Sequence, residues 1–111
     1  KKHETLRQIS VHELNHHLSN GHQMRTLDVR ESDEWDASHI AGASSMSFKH
    51  LDQRLDEIGI APEEQVSVVC AAGIRSSTAC SILRRRGFEK VSNVTGGMTA
   101  WKAAGLPTVI D

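Results

Sequence analysis

The sequence holds 111 residues, 38% of them hydrophobic and 24% charged, which fits one globular domain and excludes a disordered chain, a collagen repeat or a disulfide scaffold. Thirteen Lys and Arg against fourteen Asp and Glu leave a net charge of −1, which offers no global attraction to nucleic acid or an anionic membrane. Two cysteines are too few for a secreted disulfide framework, and no apolar run approaches the roughly 20 residues of a membrane helix.

The first ten residues, KKHETLRQIS, are polar, so no secretory leader is expected. Ser10 with Glu13 three residues on reads as a capping box, and Val11, Leu14 and Leu18 then share one helical face, stopping near Asn20-Gly21. A strand is expected over Met24 to Val29. Ser32 is a candidate cap for a short helix from Asp33 to Ser38. The loop His39 to Ala43 leads into a brief strand near Ser45 to Ser47. Phe48, Leu51, Leu55 and Ile58 form a helical stripe ending near Gly59. After a turn at Pro62-Glu63-Glu64, Val66 to Val69 reads as a strand buried on both faces. A helix is expected from Ser76 to Arg86 with Gly87 as its stop, a strand from Val91 to Val94, a turn at Thr95-Gly96-Gly97, and a helix from Met98 to Ala104, closed by Gly105 and Pro107.

Strands alternating with helices of this length predict βαβ units and a mainly parallel sheet covered on both faces. Ligands of such folds bind beyond the carboxyl ends of the strands, which points to the loops after Val29 and Val69.

The second of those loops is Cys70-Ala71-Ala72-Gly73-Ile74-Arg75, and it runs directly into a helix. A tight turn between strand and helix can aim several backbone N–H groups at one spot, and the helix dipole adds positive potential there. A cysteine at the start of this loop is favoured as its thiolate. Ala71, Ala72 and Gly73 leave the backbone room to curl, and Arg75 supplies a charge if its side chain folds back. Cys70 is therefore the candidate nucleophile. The plain alternative is a small buried side chain at a strand end.

Cys70-x-x-Gly73-x-Arg75-Ser76 resembles the active-site loop of rhodanese domains, the sulfurtransferases. The resemblance continues through Leu27-Asp28-Val29-Arg30-Glu31, through Glu34-Trp35 with His39-Ile40-Ala41-Gly42-Ala43, and through Gly87-Phe88-Glu89-Lys90-Val91, Gly96-Gly97-Met98, Trp101 and Gly105-Leu106-Pro107. It implies a rhodanese-like three-layer α/β fold, with a five-stranded, mainly parallel sheet and helices on both faces. It also implies a mechanism. The Cys70 thiolate takes the outer sulfur of thiosulfate or a persulfide, holds it as a persulfide against the loop amides of Ala71, Ala72, Gly73, Ile74, Arg75 and Ser76, and yields it to cyanide or a thiol. This is covalent catalysis without a metal or organic cofactor. Some thiosulfate-using members carry a basic residue inside the loop, where this chain has Ala71 and Ala72. A dianionic donor would then depend on Arg75 or Arg30, whereas a low-molecular-weight persulfide, or one on a partner protein, suits the neutral loop equally well.

Two further functions follow from the same residues. The chain starts at Lys1, not Met, which suits a processed chain or a domain excised from a longer protein. The domain at 1–111 could thus be a sulfur-relay or regulatory module of a larger protein. Cysteine phosphatases place five residues between Cys and Arg; here there are four, a smaller amide ring than a phosphate group needs.

Other residues read as structural. Arg30 either greets substrate or pairs with Asp33 or Glu34. Asp28 is a buried hydrogen-bonding group rather than a base. His12 and His16 have metal-competent spacing but no third ligand. His39 makes a structural hydrogen bond. Cys80 packs as a small side chain, roughly 8 Å along the helix from the loop, beyond the ~7 Å Cα span of a disulfide. Arg84-Arg85-Arg86 is a solvated helix end, and Trp101 belongs to the core. A persistent thiolate implies a reducing compartment, the cytoplasm, with no nucleic-acid or membrane partner.

Overall fold

The computed structural model describes residues 7–21 and 23–110, so residues 1–6 of the polar lead lie outside it. In chain order the described residues form β1 (Arg7–Ile9), α1 (Val11–Ser19), β2 (Met24–Asp28), α2 (Ser32–Ala37), β3 (Ser44–Ser45), β4 (Gln65–Val69), α3 (Ile74–Arg85), β5 (Val91–Val94) and α4 (Gly97–Ala103). The strands make one sheet in the order β1-β5-β4-β2-β3, and every neighbouring pair runs parallel. This is the five-stranded α/β architecture anticipated from the sequence.

β4 sits in the middle of the sheet, and its side chains from Val66 to Val69 are all buried. On one face Val66, Val68, Leu27 and Val91 pack with Ala79, Cys80 and Leu83 of α3 and with Leu51, Ile58 and Ile60. On the other, Val69, Val94 and Ile9 pack with Val11 and Leu14 of α1 and with Met98 and Trp101 of α4. Trp101 is buried, and its indole N–H donates to the carbonyl of Pro107 at 2.8 Å, which satisfies the polar end of a large apolar side chain. The capping box of α1 is complete: Glu13 N–H donates to Ser10 Oγ at 3.0 Å, and Ser10 N–H to Glu13 Oε1 at 3.1 Å.

Two sequence expectations need correction, one strand is unanticipated, and the exposed Arg86 has a partner. The stripe Phe48, Leu51, Leu55, Ile58 is not an α-helix; it is a run of turns with one 3-10 turn at Leu55–Glu57. The stripe does face the core, because turns closed by i→i+3 bonds, such as Glu57 N–H to Arg54 O and Ile58 N–H to Leu55 O, repeat every three residues or so. β1 has no sequence signature: Arg7 and Gln8 are exposed and only Ile9 is buried, and its place is set by backbone pairing with β5 at one edge. α2 is capped by Glu31 rather than Ser32, with Glu31 N–H donating to Glu34 Oε1 at 2.9 Å. Arg86, read as a solvated end, donates to the carbonyl and carboxylate of Asp52 at 2.9 and 2.6 Å.

Candidate active site

The carboxyl end of β4 delivers Cys70 to the start of α3. The N-cap of that helix is Gly73, in the left-handed region at φ +99°, a conformation that costs glycine little. A glycine cap has no side chain with which to receive the free N–H groups of the first turn. The sulfur of Cys70 does so instead. Gly73 N–H donates to Cys70 Sγ at 3.0 Å, and the N–H groups of Ser76 and Ala72 also act on it. Burial pushes the thiol up; the Ser76 side chain and the N–H groups of Ser76, Gly73 and Ala72 oppose this, and the thiol lies below its ordinary value. Cys70 is buried, while Ala72 and Ile74 beside it are exposed, Ile74 at 78%.

The first turn of α4 fixes the other side of the loop. Met98 N–H donates to the carbonyl of Cys70 at 2.8 Å and Thr99 N–H to that of Ala71 at 2.9 Å. Free donors of one helix thereby orient the peptide groups that carry the nucleophile. Gly97 makes the approach possible: a Cβ there would lie 2.2 Å from Cys70 O.

Arg75 does not stand free over the loop. Its guanidinium forms a two-pronged pair with Glu34 of α2, at 2.9 and 3.0 Å. The hydrogen bonds from Arg75 hold Glu34 at about 2, far below its ordinary 4.5. Its contribution to stability is thus complete above 4.5 and is lost as pH falls toward 2. Glu34→Gln is expected to destabilise the fold at neutral pH and to cost much less near about pH 3; urea unfolding at both pH values checks this, and an equal cost at both would contradict it.

Arg30 and Asp28 pair with each other, not with Asp33 or Glu34. Arg30 Nε and Nη2 donate to the Asp28 carboxylate at 2.8–3.1 Å, and Nη2 also donates to Ser38 O at 2.7 Å. Both side chains are buried. Trp35 stacks on His39 with ring centroids 3.6 Å apart, and His39 Nδ1–H donates to the carbonyl of Trp35 at 2.9 Å. Cys80 is in the core, and burial pushes its thiol up to about 12. Among the described residues no group of His, Cys, Asp and Glu could hold a metal ion, and no helix is long and apolar enough to cross a membrane.

The sequence reading passed over Asn93, which accepts a hydrogen bond from Ser76 Oγ, while Cys70 Sγ lies 3.3 Å from the same oxygen. Its signal was a polar side chain in the otherwise strand-like run Val91-Ser92-Asn93-Val94, all four residues of which are buried.

A sequence profile of the Rhodanese-like domain matches residues 10–104. The chain belongs to the rhodanese-like domain family. Among curated relatives it is 29% identical over 94 residues to the putative sulfur carrier protein YrkF of Bacillus subtilis, covering 85% of this chain and 50% of that protein. It is 32% identical over 105 residues to the thiosulfate sulfurtransferase GlpE of Actinobacillus pleuropneumoniae, covering 94% of each. The solution structure of the rhodanese-like domain of Anabaena Alr3790 superposes with a TM-score of 0.85 at 34% identity, over 95% of this chain and 80% of that one. The rhodanese-like chain thus spans half the length of YrkF.

Proposed function

We propose that this domain is a sulfurtransferase that works through a persulfide on Cys70. The observation that carries the reading is Cys70 Sγ serving as the N-terminal cap of α3, with Gly73 N–H at 3.0 Å and the thiol below its ordinary value. The Cys70 thiolate attacks the outer sulfur of the donor. The donor's S–S bond breaks and its electron pair leaves with sulfite or a thiolate. Cys70 then bears a terminal sulfur of negative charge, which the same N–H groups suit. Cyanide or an acceptor thiolate attacks that sulfur, and Cys70 leaves as a thiolate. Each step exchanges one S–S, S–C or S–S⁻ partner for another, so no outside oxidant or reductant, metal or organic cofactor enters.

A persulfide donor is favoured over thiosulfate. Arg75 is committed to Glu34 and Arg30 to Asp28, and Ala71 and Ala72 bring no charge, so a dianion meets a neutral rim. The names of the relatives, one a sulfurtransferase and one a sulfur carrier, agree with sulfur transfer. They also support a second form of it, in which the domain relays sulfur to a fused or docked protein partner. A reduced nucleophile suits the cytoplasm.

The test is cyanide capture after incubation with thiosulfate or glutathione persulfide, with intact-mass analysis of the protein, beside Cys70→Ala. One added sulfur atom and thiocyanate release are expected, more readily from the persulfide, and both vanish in Cys70→Ala. No added sulfur from either donor would overturn the proposal, and turnover of an aryl phosphate would replace it.

A further inference from the structure

Asn93 lies on β5, and its side chain reaches Cys70 through the Ser76 hydroxyl rather than by a hydrogen bond of its own. Its Oδ1 accepts from the Ser76 hydroxyl. Its Nδ2 donates to Gln8 Oε1 at 3.0 Å and faces the carbonyl oxygen of Gly73 at 3.5 Å. Only a donor fits against that carbonyl, which fixes the amide's orientation. Thr95 Oγ1 donates to the same Gln8 oxygen at 3.2 Å, which holds Gln8 in turn.

A serine hydroxyl has one proton and two lone pairs. With its proton directed to Asn93, Ser76 presents lone pairs to the sulfur, and the Cys70 S–H donates to Ser76 Oγ at 3.3 Å. That arrangement suits a neutral thiol. A thiolate has no proton to give, so the lowering that the Ser76 side chain exerts on Cys70 is realised only when its hydroxyl turns from Asn93 to the sulfur.

We propose that Asn93 is a positioning residue that holds the Ser76 hydroxyl as an acceptor and so opposes ionisation of Cys70, competing with the loop N–H groups that favour it. The backbone groups at Cys70 draw toward the thiolate, and Asn93 draws Ser76 the other way. The charged and titratable groups that act nearby are Arg75 on α3, paired with Glu34 on α2 and also facing Glu31, Cys80 further along α3, and the Asp28–Arg30 pair at the end of β2. None of them bonds to Asn93 or to Ser76 Oγ among the described residues. The inference rests on the sulfur-transfer reading only in treating Cys70 as the working nucleophile.

The experiment is the pH dependence of Cys70 alkylation by iodoacetamide, followed by peptide mass, in the whole domain. It uses no sulfur donor, so its result is independent of whether sulfur is transferred. Asn93→Leu frees the Ser76 proton and is expected to lower the midpoint by about one pH unit, roughly ten-fold more thiolate below it. The shift should disappear when Ser76→Ala is added. An unchanged or raised midpoint in folded Asn93→Leu, or the same drop with Ser76→Ala, would overturn the proposal, because Asn93 would then act without Ser76. Asn93→Asp keeps the shape and serves if the leucine variant does not fold. Its stronger acceptor is expected to raise the midpoint with Ser76 present and to raise it less with Ser76→Ala. An equal rise in both would reduce Asn93→Asp to a bare charge effect and overturn the role of Ser76.

Discussion

Arg30→Met is expected to destabilise the domain by about 3–5 kcal/mol, because it strands the Asp28 carboxylate in a buried site. Asp28 and Arg30 are exposed by only 1% and 4%. The carboxylate accepts from the Arg30 guanidinium and from the Arg30 backbone N–H at 3.0 Å, and after the substitution only the backbone donor remains. Asp28→Leu should cost a similar amount, with the charge left on Arg30. The double variant Asp28→Leu/Arg30→Met should be less destabilised than either single one, since removing both charges removes the desolvation cost with them. It should stay somewhat below the parent domain, because the half-buried Ser38 O loses its 2.7 Å donor. Urea unfolding of the three variants measures the cycle. A substrate-binding Arg30 would behave differently: stability would stay within about 0.5 kcal/mol, as for ordinary surface changes, while KM for an anionic donor rose. That result would contradict the supporting role.

The difference between those outcomes shows where the sequence was informative. Cys70, the strand before it and the helix after it were legible because each rests on local chemistry: an apolar run, a glycine, and a cysteine between them. The capping box at Ser10 and Glu13 was legible for the same reason. Partner choice was not. Arg75 and Glu34 stand 41 positions apart, and only the sheet order, which sets β2 beside β4, brings the helices that follow those strands together. Asp28 was legible as a buried hydrogen-bonding group, but its partner was not: Arg30 stands two residues on, and the pairing depends on Arg30 being buried as well, which an arginine after a strand end does not announce. β1 was silent because Arg7 and Gln8 are exposed, so an edge strand of three residues shows no alternation. The segment from Phe48 to Ile58 misled because periodicity reports which side chains face inward, not which hydrogen bonds close the turns.

The same dependence on packing governs how the thiol is activated. The N–H groups near Cys70 would point elsewhere if the loop's peptide planes were free to rotate. They are held from behind, where Met98 N–H and Thr99 N–H take the carbonyls of Cys70 and Ala71. The free donors at the start of α4 have their obligation met, and the loop gains an orientation. Acidity at Cys70 is thus a property of two helix starts joined through one loop.

Gly97→Ala should therefore disable the site. A Cβ at Gly97 would lie 2.2 Å from Cys70 O and 2.8 Å from Ala71 O, and the residue's φ is +54°. Both neighbours are backbone atoms, so no side-chain rotation relieves the contact, and the loop and α4 must separate. The left-handed φ and the overpacking together should cost about 2–4 kcal/mol. A displacement of about 1 Å at a reacting atom can lower the rate on the order of 100-fold, so sulfur transfer should fall by at least that factor. The Cys70 midpoint should rise toward an ordinary thiol as the N–H groups lose their aim. Gly105→Ala is the matched control. Its φ is +73°, and nothing lies within 4 Å of its Cβ position, so it carries the conformational cost without the collision. It should lose about 1 kcal/mol and leave both the midpoint and transfer unchanged. Unfolding curves and alkylation profiles of the two variants separate the effects. If Gly97→Ala behaves like Gly105→Ala, α4 does not brace the nucleophile loop, and the acidity of Cys70 must come from α3 alone.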